Sequence, residues 1–154
     1  MKPYTVSVDI DLPRDRVIEL FDDPDNLFKW QPGLKSFEHL SGEPGRPGAK
    51  SKLVYQQGPK RFELIETILT RNLPDEFHGS YEWPGGENTL HNRFKELGPL
   101  RTRWESTCTY RFERLSMKLM GLLFAKKFRA QNQAWLQNFK EFCEHGRDVR
   151  KAPG

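Results

Sequence analysis

Between residues 115 and 144 the chain contains no proline and no β-branched residue, and its only glycine is Gly121. Nothing there interrupts a helix. The segment 34–112 is the reverse, cut by Pro and Gly into short runs. Cysteine is scarce: Cys108 and Cys143 are the only two. That excludes a disulfide framework and makes a reduced, cytoplasmic setting the expected one. No apolar run approaches the roughly 18 residues of a membrane-spanning helix, so no integral membrane segment is expected. The opening MKPYTVSVDIDLP alternates and carries Asp9 and Asp11, which is not the pattern of a signal peptide. The net charge is only +4 with 30% charged residues. The surplus reads as scattered, part of it in Arg147, Arg150 and Lys151. It lacks the concentrated basic stripe of a nucleic-acid binder, and no nucleic-acid partner is expected.

Catalytic and cofactor signatures are missing as well. There is no Gly-x-Ser-x-Gly elbow. The stretch 42–51, GEPGRPGAKS, approaches a phosphate-binding loop, but Ala49 separates the last glycine from Lys50. Pro44 and Pro47 remove backbone donors, and the following residues read as a strand. The histidines, His39, His78, His91 and His145, show no metal-ligand spacing. Cys108 lies mid-strand without the helix N-terminus or basic neighbour that activates a thiol. Glu63 and Glu66 are three apart in a strand, face opposite sides and cannot form a dyad on one face. If Phe62 and Leu64 face inward, Glu66 does too and needs a partner such as Arg93 or Arg103; the alternative is a solvated outer face. No catalytic residue, metal or cofactor is assigned.

What is present has a definite order. Tyr4, Val6, Val8 and Ile10 alternate with polar residues and read as a strand with one buried face. Pro13 opens a short helix through Val17, Leu20 and Phe21, ended by Asp22-Asp23-Pro24-Asp25. A second short helix over 26–30 stops at Gln31-Pro32-Gly33. Strands are expected over 34–40, 50–57, 61–70, 77–83, 89–97 and 102–112, divided by turn signals at the spacing of an antiparallel meander. Phe77, Gly79, Tyr81 and Trp83 share one strand face, and Trp104, Ser106, Cys108, Tyr110 and Phe112 another. One amphipathic helix follows, about 45 Å long for some thirty residues. Its expected inner face holds Leu122, Leu123, Phe128, Trp135 and Phe139. Gly121 marks a bend or a close approach.

This order resembles the helix-grip fold of the START-like (SRPBCC) superfamily, which includes birch-pollen-allergen-like proteins, polyketide cyclases and coenzyme Q-binding proteins. The residues that carry the resemblance are LPRDRVIELF at 12–21, DDPDNLFKWQPGL at 22–34, the turn SGEPGRPGA at 41–49 and ELIE at 63–66. Together they span nearly the whole chain. The resemblance implies an α+β helix-grip domain over 1–146, with a seven-stranded curved antiparallel sheet around a long C-terminal helix and two short helices after the first strand. A basic, flexible tail is expected over 147–154. It also implies a cavity between sheet and helix for a lipid, quinone, polyketide or aromatic molecule.

The aromatic residues carry the functional expectation, because aromatics on a concave sheet form either a solid core or the walls of a pocket. The candidate ligand-binding set is Trp30, Tyr55, Phe77, Tyr81, Trp83, Asn92, Phe94, Trp104, Ser106, Cys108, Tyr110, Leu122, Phe128 and Trp135. The leading expectation is binding of a small hydrophobic molecule. Two alternatives are a cyclase or dehydratase-type enzyme and a module with an apolar groove for a protein or lipid surface. The loops at 30–33 and 84–86 and the region of Gly121 are the expected gates.

Overall fold

A computed structural model describes residues 1–151. The chain runs β1 (Tyr4–Ile10), α1 (Arg14–Phe21), a 3-10 turn (Pro24–Asn26), α2 (Leu27–Trp30), β2 (Leu34–Ser41), β3 (Lys50–Gln57), β4 (Lys60–Asn72), β5 (Glu76–Trp83), β6 (Gly86–Gly98), β7 (Arg101–Phe112), α3 (Leu115–Leu123) and α4 (Ala125–His145). The strands form one seven-stranded antiparallel sheet in the order β1-β7-β6-β5-β4-β3-β2. Five neighbouring pairs are hairpins of consecutive strands. The sixth joins the first strand to the last, with Tyr4 opposite Cys108 and Ile10 opposite Thr102. This is the expected α+β helix-grip architecture.

Alternation decides which side of each strand is buried. Val6, Val8 and Ile10 point under α4 and are 8% exposed or less. They form the main core with Val17 of α1, Trp30 of α2, Phe94 and Trp104 of the sheet, and Leu136, Phe139 and Phe142 of α4. The opposite face of β1 places Asp9 beside Arg103, with Arg103 Nε donating to Asp9 Oδ1 at 2.7 Å. A smaller cluster, Leu34, Leu53 and Tyr55, packs against Trp135.

The single long helix expected over 115–144 is two helices. Phe124 departs from helical geometry (φ −105°, ψ 13°), ending α3 and opening α4. The reason is tertiary. Gly121 is the only buried residue of α3. A Cβ built there would lie 2.6 Å from the Phe112 ring. α3 is therefore seated on β7, while Leu136, Phe139 and Phe142 seat α4 on the core. The break costs little hydrogen bonding, because Phe124 N still reaches Met120 O (2.9 Å) and Phe128 N reaches Phe124 O (3.0 Å). Helix propensity favours continuity through this point and carries no information about either seat.

α4 ends at Gly146, whose left-handed conformation (φ 67°) returns its N–H to Phe142 O at 2.9 Å. Glycine adopts that conformation without steric cost. Beyond it, Val149 N donates to Lys29 O of α2 at 2.9 Å. The remainder of the expected tail, 152–154, lies outside the described residues.

Candidate ligand cavity

A cavity of about 1070 Å³ lies between the concave face of the sheet and the helices. It exists because α4 divides its labour along its length. Its C-terminal half fills the core with Leu136, Phe139 and Phe142. Its N-terminal half presents Phe128, Gln131, Asn132 and Trp135 to open space. Two stacked pairs carry this half onto the sheet: Phe128 on Tyr110, with ring centroids 5.4 Å apart, and Trp135 on Tyr55 at 5.7 Å. The room between these contacts is the cavity.

Strand alternation supplies the walls. Tyr55 of β3, Phe77, Tyr81 and Trp83 of β5, Asn92 of β6, and Trp104, Ser106 and Tyr110 of β7 all face inward and line it, as do Trp30 from α2 and Phe128 and Trp135 from α4. Three candidates stand elsewhere. Phe94 is 2% exposed and packed between Phe21 and Trp104 in the solid core. Cys108 is fully buried, where Asn132 Nδ2 lies 3.4 Å from its Sγ. Leu122 is 64% exposed on the outer side of α3. Seating Gly121 against Phe112 turns Leu122 and Leu123 outward, whereas a single straight helix would have turned them in.

Other lining residues lay outside the candidate set. Met117, Met120, Gly121 and Phe124 form the α3 side of the mouth. Gln31, Leu53, Glu66 and Asn132 complete the interior. Two of these were accessible in principle. Asn132 lies four residues after Phe128 and three before Trp135, on their face of the helix. Glu66 lies two after Leu64, so strand parity puts both on the concave side. The solvated outer face open to Glu66 is therefore corrected, and so are its expected partners. Arg103 is engaged with Asp9 across the convex face, and Arg93 is exposed there.

The neighbour of Glu66 is Tyr81, opposite it in the β4–β5 ladder and, like it, lining the cavity. Burial pushes the Glu66 carboxyl above the ordinary carboxylate range, and the Tyr81 phenol only partly opposes this. Burial, reinforced by Glu66, raises the Tyr81 and Tyr55 phenols well above theirs. Tyr55 donates to Gln31 Oε1 at 2.6 Å. Two further polar groups border the cavity. Asn92, opposite Ser106 in the β6–β7 ladder, accepts from Trp104 Nε1 at 2.9 Å. Asn132 donates to the hydroxyls of Tyr4 and Tyr110, which are 3.2 Å apart. Burial holds the Cys108 thiol up at about 11, which keeps it in the neutral form.

The charged groups on the convex face form a separate set. His91 Nε2 lies 2.6 Å from Glu76 Oε2, and His78 stacks on His91. Among the described residues no three His, Cys, Asp or Glu side chains are grouped so as to hold a metal ion. No described helix is long and apolar enough to cross a membrane.

A family model described as "Polyketide cyclase / dehydrase and lipid transport" matches residues 1–144. The chain belongs to this family. The same fold recurs in solved structures of low identity. A conserved protein from Geobacillus kaustophilus superposes with a TM-score of 0.75 at 15% identity, covering 95% of this chain and 97% of that one. The Zhui aromatase/cyclase from Streptomyces sp. R1128 gives 0.72 at 13%, covering 96% and 99%. Ara h 8.0201 gives 0.72 at 12%, covering 92% and 97%. No curated protein matches the chain. The likeness to these structures is one of fold; at these identities the pocket chemistry is each protein's own.

Proposed function

We propose that this protein binds a small, predominantly apolar molecule in the cavity between the sheet and α4. The observation that carries this reading is the cavity itself, about 1070 Å³ with aromatic walls and three separate polar groups at its edge. Apolar area removed from water drives such binding at roughly 25 cal/mol per Å², less the cost of immobilising the ligand. The polar groups supply orientation. Asn92, Asn132 and the Glu66–Tyr81 pair face the interior from different sides, which suits a ring system or chain with separated oxygen functions. The family description and the aromatase/cyclase name of one structural neighbour point the same way. The two cysteines are unpaired, in keeping with the proposed cytoplasmic setting.

Native mass spectrometry of protein purified from its own source tests the reading directly, with retained mass as the expected result. Quinones, fatty acids and polycyclic phenols are then screened by thermal shift. No retained mass and no stabilisation by any of them would overturn the proposal.

One observation favours a second reading, a cyclase or dehydratase-type activity. Glu66 keeps its proton to higher pH than an ordinary glutamate and stands opposite Tyr81 in the cavity wall. Such a pair can polarise a carbonyl in a bound polyketide. Conversion of a poly-β-keto thioester, lost in Glu66→Gln and retained in Arg103→Ala, is the outcome that supports it.

A further inference from the structure

Six of the eleven exposed large hydrophobic residues among the described residues fall between Leu115 and Phe124. Leu115, Leu119, Leu122 and Leu123 recur at helical spacing and are 74%, 54%, 64% and 75% exposed. They form one stripe on the side opposite Gly121. A monomeric protein seldom leaves a contiguous patch of large aliphatic side chains in water without a partner for it.

The charge around this stripe identifies the partner. From Arg114 to Lys140 the chain holds six of its 25 lysines and arginines and none of its 21 acidic residues. The rest of the molecule is thus slightly acidic. Arg114, Lys118, Lys126, Lys127 and Arg129 are all exposed. No ion pair engages any of the five among the described residues, although Arg129 also lies over the Tyr4 ring. The basic surplus that reads as scattered along the sequence is gathered in space around one apolar helix.

We infer that α3 is a docking element for an anionic lipid surface, with its leucines entering the interface and the five cations meeting the phosphates. The pattern is that of an interfacial helix with apolar side chains on one face and basic ones at its margins. A second copy of this chain is a poor occupant. A two-fold contact through α3 would bring the same cations against one another. The surface also continues into the cavity: Met120 and Phe124 line the mouth and are themselves 56% and 45% exposed. Docking would place the mouth against the lipid phase, where apolar molecules partition. This inference goes beyond the binding proposal and does not depend on it.

The test is flotation of the full chain, without added ligand, with phosphatidylcholine vesicles and with vesicles of phosphatidylcholine mixed with phosphatidylglycerol. The protein is expected to float with the mixed vesicles, to bind pure phosphatidylcholine at least about tenfold more weakly, and to be released progressively by sodium chloride. Leu122→Asp combined with Leu123→Asp should abolish flotation while leaving the circular dichroism spectrum and melting temperature unchanged, because both side chains are already in water. Lys126→Glu combined with Lys127→Glu should weaken it about tenfold or more. Failure of the parent chain to float with anionic vesicles overturns the inference, as does full retention in the double aspartate variant. A light-scattering mass that falls from dimer to monomer in that variant, without vesicle binding by the parent, assigns the stripe to a second copy instead. A protein that floats but takes up no apolar compound would sink the cavity reading and leave this one standing.

Discussion

Glu66 and Tyr81 face each other across the β4–β5 ladder, and both side chains line the cavity. A carboxyl group in that position titrates under two opposed influences. Removal from water favours the neutral acid, while the phenol favours the anion. The first is the larger.

The pH dependence of stability follows with a definite sign. A carboxyl whose folded pKa is raised binds its proton more tightly in the folded state. Stability is therefore highest below the unfolded value of 4.5, declines as pH rises through it, and levels off above the folded value. Glu66→Gln removes this penalty and keeps the size of the side chain. Urea titrations should show the variant gaining on the parent from acidic to neutral pH, with the two converging near pH 4. A constant difference across that range would place Glu66 in water.

Ligand affinity should separate wall from surface. Once an apolar compound that stabilises the protein is found, Trp104→Ala and Tyr81→Ala should each weaken it by about tenfold or more, the effect of losing roughly 1.4 kcal/mol of contact. Arg103→Ala, on the convex face, should leave affinity within about twofold. Calorimetry on the three variants makes the comparison, and equal losses would contradict the assigned strand faces.

Gly121→Leu should be costly although it lies in a helix where leucine is intrinsically favoured. The first added carbon would already meet the Phe112 ring at 2.6 Å. Overpacking of this kind costs about 1–3 kcal/mol, and here α3 can relieve it by lifting off β7. Chemical denaturation should register the loss, and limited proteolysis should find new cleavage near Phe124.

Phe139→Ala tests the other half of α4. Phe139 is fully buried and touches Trp30, Trp104 and Phe21 edge-on. Truncation should cost about 3–5 kcal/mol, measured by equilibrium unfolding, and should reduce ligand affinity only to the extent that the protein unfolds. A large change in affinity with little change in stability would mean that the cavity reaches farther along α4.

The order of elements was legible in the sequence because each has its own period. Tyr4 to Ile10 alternates, Val17 to Phe21 repeats at helical spacing, and the turns between strands carry their own Pro and Gly. The inward set on β5 and β7 follows from the same parity. What the sequence did not show depends on contacts between distant residues. The break at Phe124 follows from where Phe112 and the core hold the two helices; Gly121 marked a bend or a close approach nearby without showing that the helix would divide. Phe94 and Trp104 have similar patterns and similar burial, and Phe21 of α1 packs on both, yet only Trp104 borders the cavity. Glu66 lay within reach of strand parity, but its phase had to be anchored by Leu64, and only the fold shows which way Leu64 points.

The pairing of β1 with β7 has a consequence for how the chain is made. Tyr4 and Cys108 are neighbours in the sheet with a hundred residues of chain between them. During synthesis β1 emerges first and has no partner until the last strand has left the ribosome. The apolar residues Val6, Val8 and Ile10 also wait for α4, which comes later still. Long-range pairing of this kind slows folding and prolongs the exposure of unpaired strands. The hairpins from β2 to β6 can assemble as they appear, so closure of β1 onto β7 is the late step, and the cavity acquires its final walls only then.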